Sequence, residues 1–487
     1  MTLTKRISEL LQSLSAGIPE REFFIQLGFL STLIGEPFYL YGRAGSGKSL
    51  IVERLIAAFK NAKVLKIGKR DQEIPEKLNA FDIVVFQKFD PAEEDEKTQV
   101  HIALQDGGKA SVIISGELRP EVALNRGEIV DEITLTIALP DSISSGALCS
   151  LLQTPGDVTA THVPLGMAVS AEERNLWNEE IRKVSLSADS LNVIGKVAEI
   201  CEQNNFYVSI RKWIALTNMV KAVAFFNGRS ETRLTDTFFL GTSIWGRNTS
   251  NKIIEDKYRE IVYSTLFKDA PGVLNDPYDG DKLLERVHKL LNRSNNLYET
   301  KNFNNEPCLF YRITIAGEPT PLYAPLRYVE TEQDFHPYNE LRQEEKRVLC
   351  NYHGTSHCSI AVDSSIKSVG LRNSTARSAS AVIGKYEDFA NVPSYIIREN
   401  DPTIIAQKQE ELDAICKEIQ EVSERESKNL QVMREVYKNI KAAQEDLFCN
   451  KVFFEEAQAL VKKSFDASTA AIGKLKEAHE LIASKNN

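Results

Sequence analysis

The sequence is short of several things, and each shortage excludes something. Cysteines number seven in 487 residues, scattered and odd in count. That excludes a disulfide framework and is the usage of a reduced cytoplasm. No apolar run comes near the roughly 20 residues that cross a bilayer. The opening stretch Met1-Thr2-Leu3-Thr4-Lys5-Arg6 lacks the apolar centre of a secretion signal. The expectation is a cytoplasmic protein with no membrane span. Positive charge is also in deficit, with a net charge of −9. This argues against nucleic acid as the main partner and leaves room only for a local basic groove. What remains is an ordinary globular composition, 42% hydrophobic and 26% charged, in a chain long enough for about three domains.

The most informative stretch is Gly42-Arg43-Ala44-Gly45-Ser46-Gly47-Lys48-Ser49. It fits G-x-x-x-x-G-K-[ST], a phosphate-binding loop. Pro37-Phe38-Tyr39-Leu40-Tyr41 before it reads as a short buried strand. After it, Leu50, Ile51, Leu55, Ile56 and Phe59 fall at helical spacing. Strand, glycine loop and helix are the context this chemistry needs. The glycines let backbone N–H groups converge on phosphate oxygens, and the helix N-terminus adds its positive dipole end. Lys48 is placed to reach β- and γ-phosphates, and the Ser49 hydroxyl to bind Mg²⁺. The blander reading is a glycine-rich turn with an exposed lysine, which the strand and helix on either side disfavour.

Residues 3–34 read as two helices, with Ile7, Leu10, Leu11 and Leu14 on one face and Phe23, Phe24, Leu27, Leu30 and Leu33 on another, broken at Gly17-Ile18-Pro19. The order helix, Gly-Glu-apolar strand, phosphate loop, helix, Phe-x-Asn-Ala resembles the MoxR branch of the AAA+ ATPases, and within it the RavA group. The residues that carry the resemblance are Lys5-Arg6-Ile7-Ser8, Glu20-Arg21-Glu22, Gly35-Glu36, the loop, and Phe59-Lys60-Asn61-Ala62. A second block lies outside the loop. Tyr207-Val208-Ser209-Ile210-Arg211-Lys212-Trp213 and Ala224-Phe225-Phe226-Asn227-Gly228-Arg229-Ser230 are similar to the sensor-2 region and lid helix of that group. The resemblance makes Arg211 the sensor that closes on a γ-phosphate; the alternative is a surface arginine near a helix start.

The same resemblance predicts hydrolytic groups, and here the chain departs from it. An Asp-Glu pair should end the third strand, the Asp for Mg²⁺ and the Glu to polarise water. The matching strand Asp82-Ile83-Val84-Val85-Phe86 is followed by Gln87-Lys88, one neutral and one cationic. Asp90 lies three positions on and would need an odd slip of the strand, which turns it to the opposite face. The strand over residues 110–115 should end in a polar residue that orients water, but Gly116 stands there. The arginine finger of the family corresponds to Glu132 in Ile129-Val130-Asp131-Glu132. An arginine finger contributes about 10³–10⁵ in rate, whereas a carboxylate facing a γ-phosphate repels it. The expectation is a protein that binds nucleotide and hydrolyses it weakly or not at all. If the weaker motifs are misplaced, Asp90 or a carboxylate of Glu93-Glu94-Asp95-Glu96 is the metal ligand; that acidic run also reads as a solvated helix start.

Residues 141–185 read as loops and short helices, and 187–300 as helical. Near Pro307 strand patterns begin, at Leu309–Ile315, Val348–Tyr352, Ser359–Val362 and residues 379–386. Within them Cys350-x-x-His353-x-x-x-His357-Cys358 has zinc-ligand residue types at a spacing that fits no finger, so core cysteines and turn histidines are the plainer account. From Thr403 the chain is helical, with Leu412, Ile415, Ile419 and Val422, then Leu430, Met433, Tyr437 and Ile440, at helical spacing. The fold expected is α/β, an AAA+ phosphate-loop core (1–185) with a helical lid (186–304), a small β-rich domain (305–400) and C-terminal helices (401–487) packing back in cis rather than dimerising.

What the resemblance implies about function is a cytoplasmic, ring-forming, usually hexameric chaperone-like ATPase that uses ATP or ADP with Mg²⁺ and works with a partner carrying a von Willebrand A domain. The losses leave two classes open: an enzyme whose ring does mechanical work, or a nucleotide-loaded scaffold, alone or in a mixed ring with an active paralogue.

Overall fold

The computed structural model describes residues 1–68, 78–90, 93–105, 110–123, 129–153, 163–204, 206–244, 251–315, 318–329, 331, 333–352, 358–363, 369–371, 382–383, 386–392 and 396–485. Their contacts separate into two compact units, one of residues 1–275 with 432–463 and one of 276–431 with 464–487.

The first unit opens with helices α1 (Leu3–Ser15) and α2 (Glu22–Ile34). The phosphate loop follows β1 (Phe38–Tyr41) and leads into α3 (Lys48–Ala57). Next come β2 (Val64–Ile67), β3 (Ile83–Gln87), α4 (Glu94–Gln105), β4 (Ser111–Gly116), the single turns α5 (Pro120–Ala123) and α6 (Ile129–Glu132), and β5 (Leu135–Ala138). The five strands form one sheet in the order β2-β3-β4-β1-β5, with every pair parallel. Parallel sheets are covered on both faces and their strands read as continuous apolar runs; Ile-Val-Val-Phe in β3 is such a run, and all four side chains are buried. One face buries Tyr39, Val84, Phe86, Val112 and Ile114 against Val100, Ala103, Ile129 and Ile133. On the α2 and α3 side, Gly28 lets the two helices meet, since a Cβ there would lie 2.8 Å from Leu55 Cδ1.

Helices complete this unit: α7 (Ser145–Gln153), α8 (Ala171–Lys183), α9 (Ala188–Gln203), α10 (Ile210–Phe226), α11 (Leu240–Ser243) and α12 (Asn251–Leu266). Ser187 and Ser209 cap α9 and α10 by accepting from Ser190 and Lys212 amides. Arg229 grips the buried Asp236 with two bonds of 2.7 Å. Phe453 and Phe454, from the helix near the C-terminal end of the chain, pack tilted against Phe238 at ring separations of 5.2 and 5.0 Å.

The second unit contains α13 (Gly280–Asn292), strands β6 (Leu297–Tyr298), β7 (Thr300–Phe303), β8 (Glu306–Ile315), β9 (Glu318–Pro325), β10 (Val348–Asn351), β11 (Cys358–Asp363), β12 (Val369–Leu371), β13 (Val382–Ile383), β14 (Tyr386–Val392) and β15 (Ile396–Arg398), and most of helices α14 (Pro402–Ala443) and α15 (Lys451–Lys485). Its strand pairs are all antiparallel. The pattern expected at residues 379–386 falls partly outside the described residues; β13 and β14 lie there and beyond. The strand β9 was not expected, because Pro319, Pro321 and Pro325 punctuate it. The ladder explains their tolerance. Tyr323, of the same parity, donates its N–H to Tyr338 and not to β8, so the prolines lack a donor only where β8 would not use it. Leu412, Ile415, Ile419 and Val422 of α14 pack on Leu283, Val287 and Leu290 of α13 and on Leu475 of α15.

Candidate nucleotide-binding site

The loop 42–47 leaves the C-terminal end of β1, which sits inside the sheet between β4 and β5. In open parallel sheets this end is where ligands bind. The backbone demands its glycines. Gly45 and Gly47 have φ of 79° and 96°, values at which a side chain is strained. At Gly42 the constraint is space, since a Cβ would come within 2.4 Å of the Ser46 hydroxyl. Arg43 and Ala44 are exposed, and Arg43 meets Asp141 at 3.2 Å.

Lys48 begins α3 and is buried, 8% exposed. Its ammonium donates to the Gly42 carbonyl at 2.5 Å and the Arg43 carbonyl at 2.8 Å. Burial lowers its pKa, and the nearby Glu117 carboxylate partly offsets this. The Ser46 hydroxyl is buried in the loop with no hydrogen-bond partner. Ser49 is exposed in the first turn of α3. A buried cation and an orphaned buried hydroxyl, in a glycine loop at the head of a helix, are groups a polyphosphate would satisfy, so these residues fit a nucleotide, with Ser49 available to its Mg²⁺.

The end of β3 offers little to a metal. Gln87 pairs in register with Ser115 of β4, and a Cβ added at Gly68 would lie 3.3 Å from its Oε1, so its amide leans toward the β2 side. Lys88 is exposed and adopts a left-handed φ of 59°, ending the strand. Phe89 is then buried, its N–H bound to the Ser115 carbonyl at 2.9 Å. Asp90 comes after this turn with its N–H bound to Glu96 at 2.9 Å, outside the strand.

At the end of β4, Gly116 lies against β1. A Cβ there would approach the Tyr39 hydroxyl to 2.3 Å and its ring to 3.0 Å. Tyr39 is fully buried, and its hydroxyl donates to the Leu118 carbonyl at 2.7 Å. Burial, then the neighbouring Tyr41, pushes the phenol pKa up. The tyrosine thus fills the space a polar side chain at this position would need.

Glu132 and Arg211 are brought together. The exposed Arg211, in the first turn of α10, has its Nη1 3.9 Å from Glu132 Oε1, and His101 Nδ1 stands 3.3 Å from Oε2. The His101 contact lacks hydrogen-bond geometry, because Oε2 is buried without a hydrogen-bond partner. The sensor candidate and the residue in the arginine-finger position therefore face each other within one chain.

One residue at the site went unread in the sequence. Glu117 Oε1 is 3.9 Å from Lys48 Nζ. The available signal was its place directly after Gly116, at the end of the strand next to β1. Of the zinc-like pattern, only the two cysteines lie among the described residues. Cys350 and Cys358 are buried with Tyr311 and Tyr352, and burial raises the Cys350 thiol pKa well above its usual value. His353 and His357 lie outside the described residues, and no group of three His, Cys, Asp or Glu suited to a metal occurs among those described. No described helix is long and apolar enough to cross a membrane.

Residues 189–257, which include α10 and all of α9 but its first residue, match the family model of the AAA lid domain. The fold is AAA+. Its parallel sheet carries the phosphate loop, and the lid follows in sequence. Among solved structures the chain is similar to a candidate ATPase from Cytophaga hutchinsonii at 15% identity and a TM-score of 0.41, over 53% of this chain and 94% of that one.

Proposed function

We propose that this AAA+ protein binds ATP and ADP with Mg²⁺ at Gly42–Ser49 and uses the bound state to drive a RavA-like, MoxR-type remodelling or assembly role in the cytoplasm. It acts as a ring, usually a hexamer or a mixed ring with an active paralogue, alongside a partner with a von Willebrand A domain. The observation that carries the nucleotide reading is Lys48, buried at the head of α3 and hydrogen-bonded to two loop carbonyls. Hydrolysis is slow or lost. In support, Gln87 leans toward Gly68, Lys88 forms the turn after β3, Tyr39 fills the space beside Gly116, and Glu132 is occupied with Arg211.

A second reading, an active ATP-hydrolysing ring motor, is favoured by one observation: the Glu117 carboxylate 3.9 Å from Lys48. Phosphate release measured beside nucleotide binding separates the two. Binding that Lys48→Ala abolishes, with turnover below ~0.01 s⁻¹, supports the nucleotide-gated scaffold. Turnover above that level, lost in Lys48→Ala, supports the motor. Nucleotide affinity indifferent to Lys48→Ala would sink both.

A further inference from the structure

Glu117 is held in place from both sides. The Gly116 carbonyl before it accepts from the Gly42 N–H of the phosphate loop at 3.3 Å, and the Leu118 carbonyl after it accepts from the buried Tyr39 hydroxyl at 2.7 Å. Its backbone is thus tied to β1 and to the loop, and its carboxylate stands 3.9 Å from Lys48 Nζ. The ammonium has three donors; two go to loop carbonyls, and Glu117 supplies the nearby countercharge. The acidic group expected at the end of β3 is replaced by Gln87 and Lys88.

A polyphosphate seated on Lys48 enters the field of this carboxylate. Like charges gathered around one ammonium repel each other. A divalent cation reverses the sign, since it attracts phosphate and carboxylate together. We propose that Glu117 is the acidic group of this site and makes nucleotide binding conditional on a divalent cation. With Mg²⁺ the carboxylate favours the bound complex, and without it the carboxylate holds Lys48 and opposes the phosphates. This rests on the reading of Gly42–Ser49 as a nucleotide site.

The test is the affinity of the full chain for a fluorescent ATP analogue, in Mg²⁺ and in EDTA, for wild type, Glu117→Gln and Lys48→Ala. The wild type is expected to lose about ten-fold or more in affinity on removing Mg²⁺. Glu117→Gln should shrink that ratio to roughly three-fold or less, binding better than wild type in EDTA and worse in Mg²⁺. Glu117 is about half exposed (52%) and the exchange is isosteric, so the variant should keep the wild-type melting temperature, which is checked alongside. An unchanged ratio overturns the proposal. So does equal tightening in both conditions, which would make Glu117 a simple competitor for Lys48. If neither wild type nor variant binds in Mg²⁺, the nucleotide reading itself fails. Binding that Lys48→Ala abolishes, with an unchanged Mg²⁺ ratio in Glu117→Gln, retires the Glu117 proposal alone.

Discussion

At the scale of single residues, Gly116 shows why a missing side chain need not be a vacancy. In the sequence it reads as the loss of a water-orienting group. In the structure the space is taken, because a Cβ would lie 2.3 Å from the Tyr39 hydroxyl and 3.0 Å from its ring. Restoring the polar residue alone should therefore fail. Gly116→Asn is expected to destabilise the chain by about 1–3 kcal/mol through overpacking, read as an earlier urea midpoint, with no gain in phosphate release. Adding Tyr39→Leu should recover part of the loss, since the two positions share one volume and their effects do not add. A Gly116→Asn variant as stable as wild type would show that Tyr39 moves aside easily. The loop itself was legible from sequence, because its glycines are demanded by local backbone geometry. Tyr39 was not legible as its limiting neighbour. That contact depends on β1 lying beside β4 in the register Tyr41↔Gly116, which no local pattern records. Glu117 is marked in the sequence only by its place after Gly116, and its approach to Lys48 depends on the same register.

At the scale of elements, amphipathic helices and apolar strands were the readable part, since burial imposes the period. The ends of α1, α2, β1, β3 and β4 fall within a residue or two of their sequence patterns. The stretch 141–185 reads in sequence as loops and short helices, yet it contains α8, thirteen residues long. Its apolar stripe is thin, with only Trp177 and Ile181 buried. The signal for it lay at the start, where Ser170 and Glu173 form a reciprocal capping box. Glu173 also carries a tertiary bond. Its carboxylate accepts two hydrogen bonds from Arg6 of α1, the Nη2–Oε2 bond measuring 3.0 Å, and Arg6 reaches the Ala168 carbonyl at 2.9 Å. The Arg6 hydrogen bond is the main cause that lowers the Glu173 pKa below its ordinary 4.5, against the opposing effect of burial. A carboxyl depressed on folding contributes stability that is present above its unfolded pKa and is lost as pH falls through the folded value. The stabilising effect of this pair should therefore be full above the ordinary glutamate range and fade as pH falls below it. In Glu173→Gln the fall of the denaturation midpoint below that range should be shallower than in wild type. An identical slope would mean that α1 and α8 are joined by apolar packing alone.

At the scale of the whole molecule, chain order and contact order diverge. Four consecutive segments follow from the shifts in sequence pattern, but the contacts group residues 1–275 with 432–463 and 276–431 with 464–487. The reason lies in the C-terminal helices. Along α14, Leu412 to Val422 bury in the second unit, while Met433 and Ile440 bury in the first; along α15, Phe453 and Phe454 belong to the first and Leu475 and Ala478 to the second. Helical periodicity announces such helices but not which residues cover them, because the pairing spans hundreds of positions. The division has a consequence for ligand linkage. A nucleotide that binds only the folded loop stabilises it by RT ln(1 + [L]/Kd), about 2.7 kcal/mol at a hundred-fold excess over Kd. That energy should appear where the loop's unit holds its contacts. Hydrogen exchange with and without ADP and Mg²⁺ should show slower exchange in β1, α3, α10 and residues 451–463, and no change in β8, β9 or α13. Lys48→Ala should erase the difference. Protection spreading equally into β8 and β9 would mean that α14 and α15, continuous through both units, transmit the bound state along the chain, and that the two units respond to nucleotide as one.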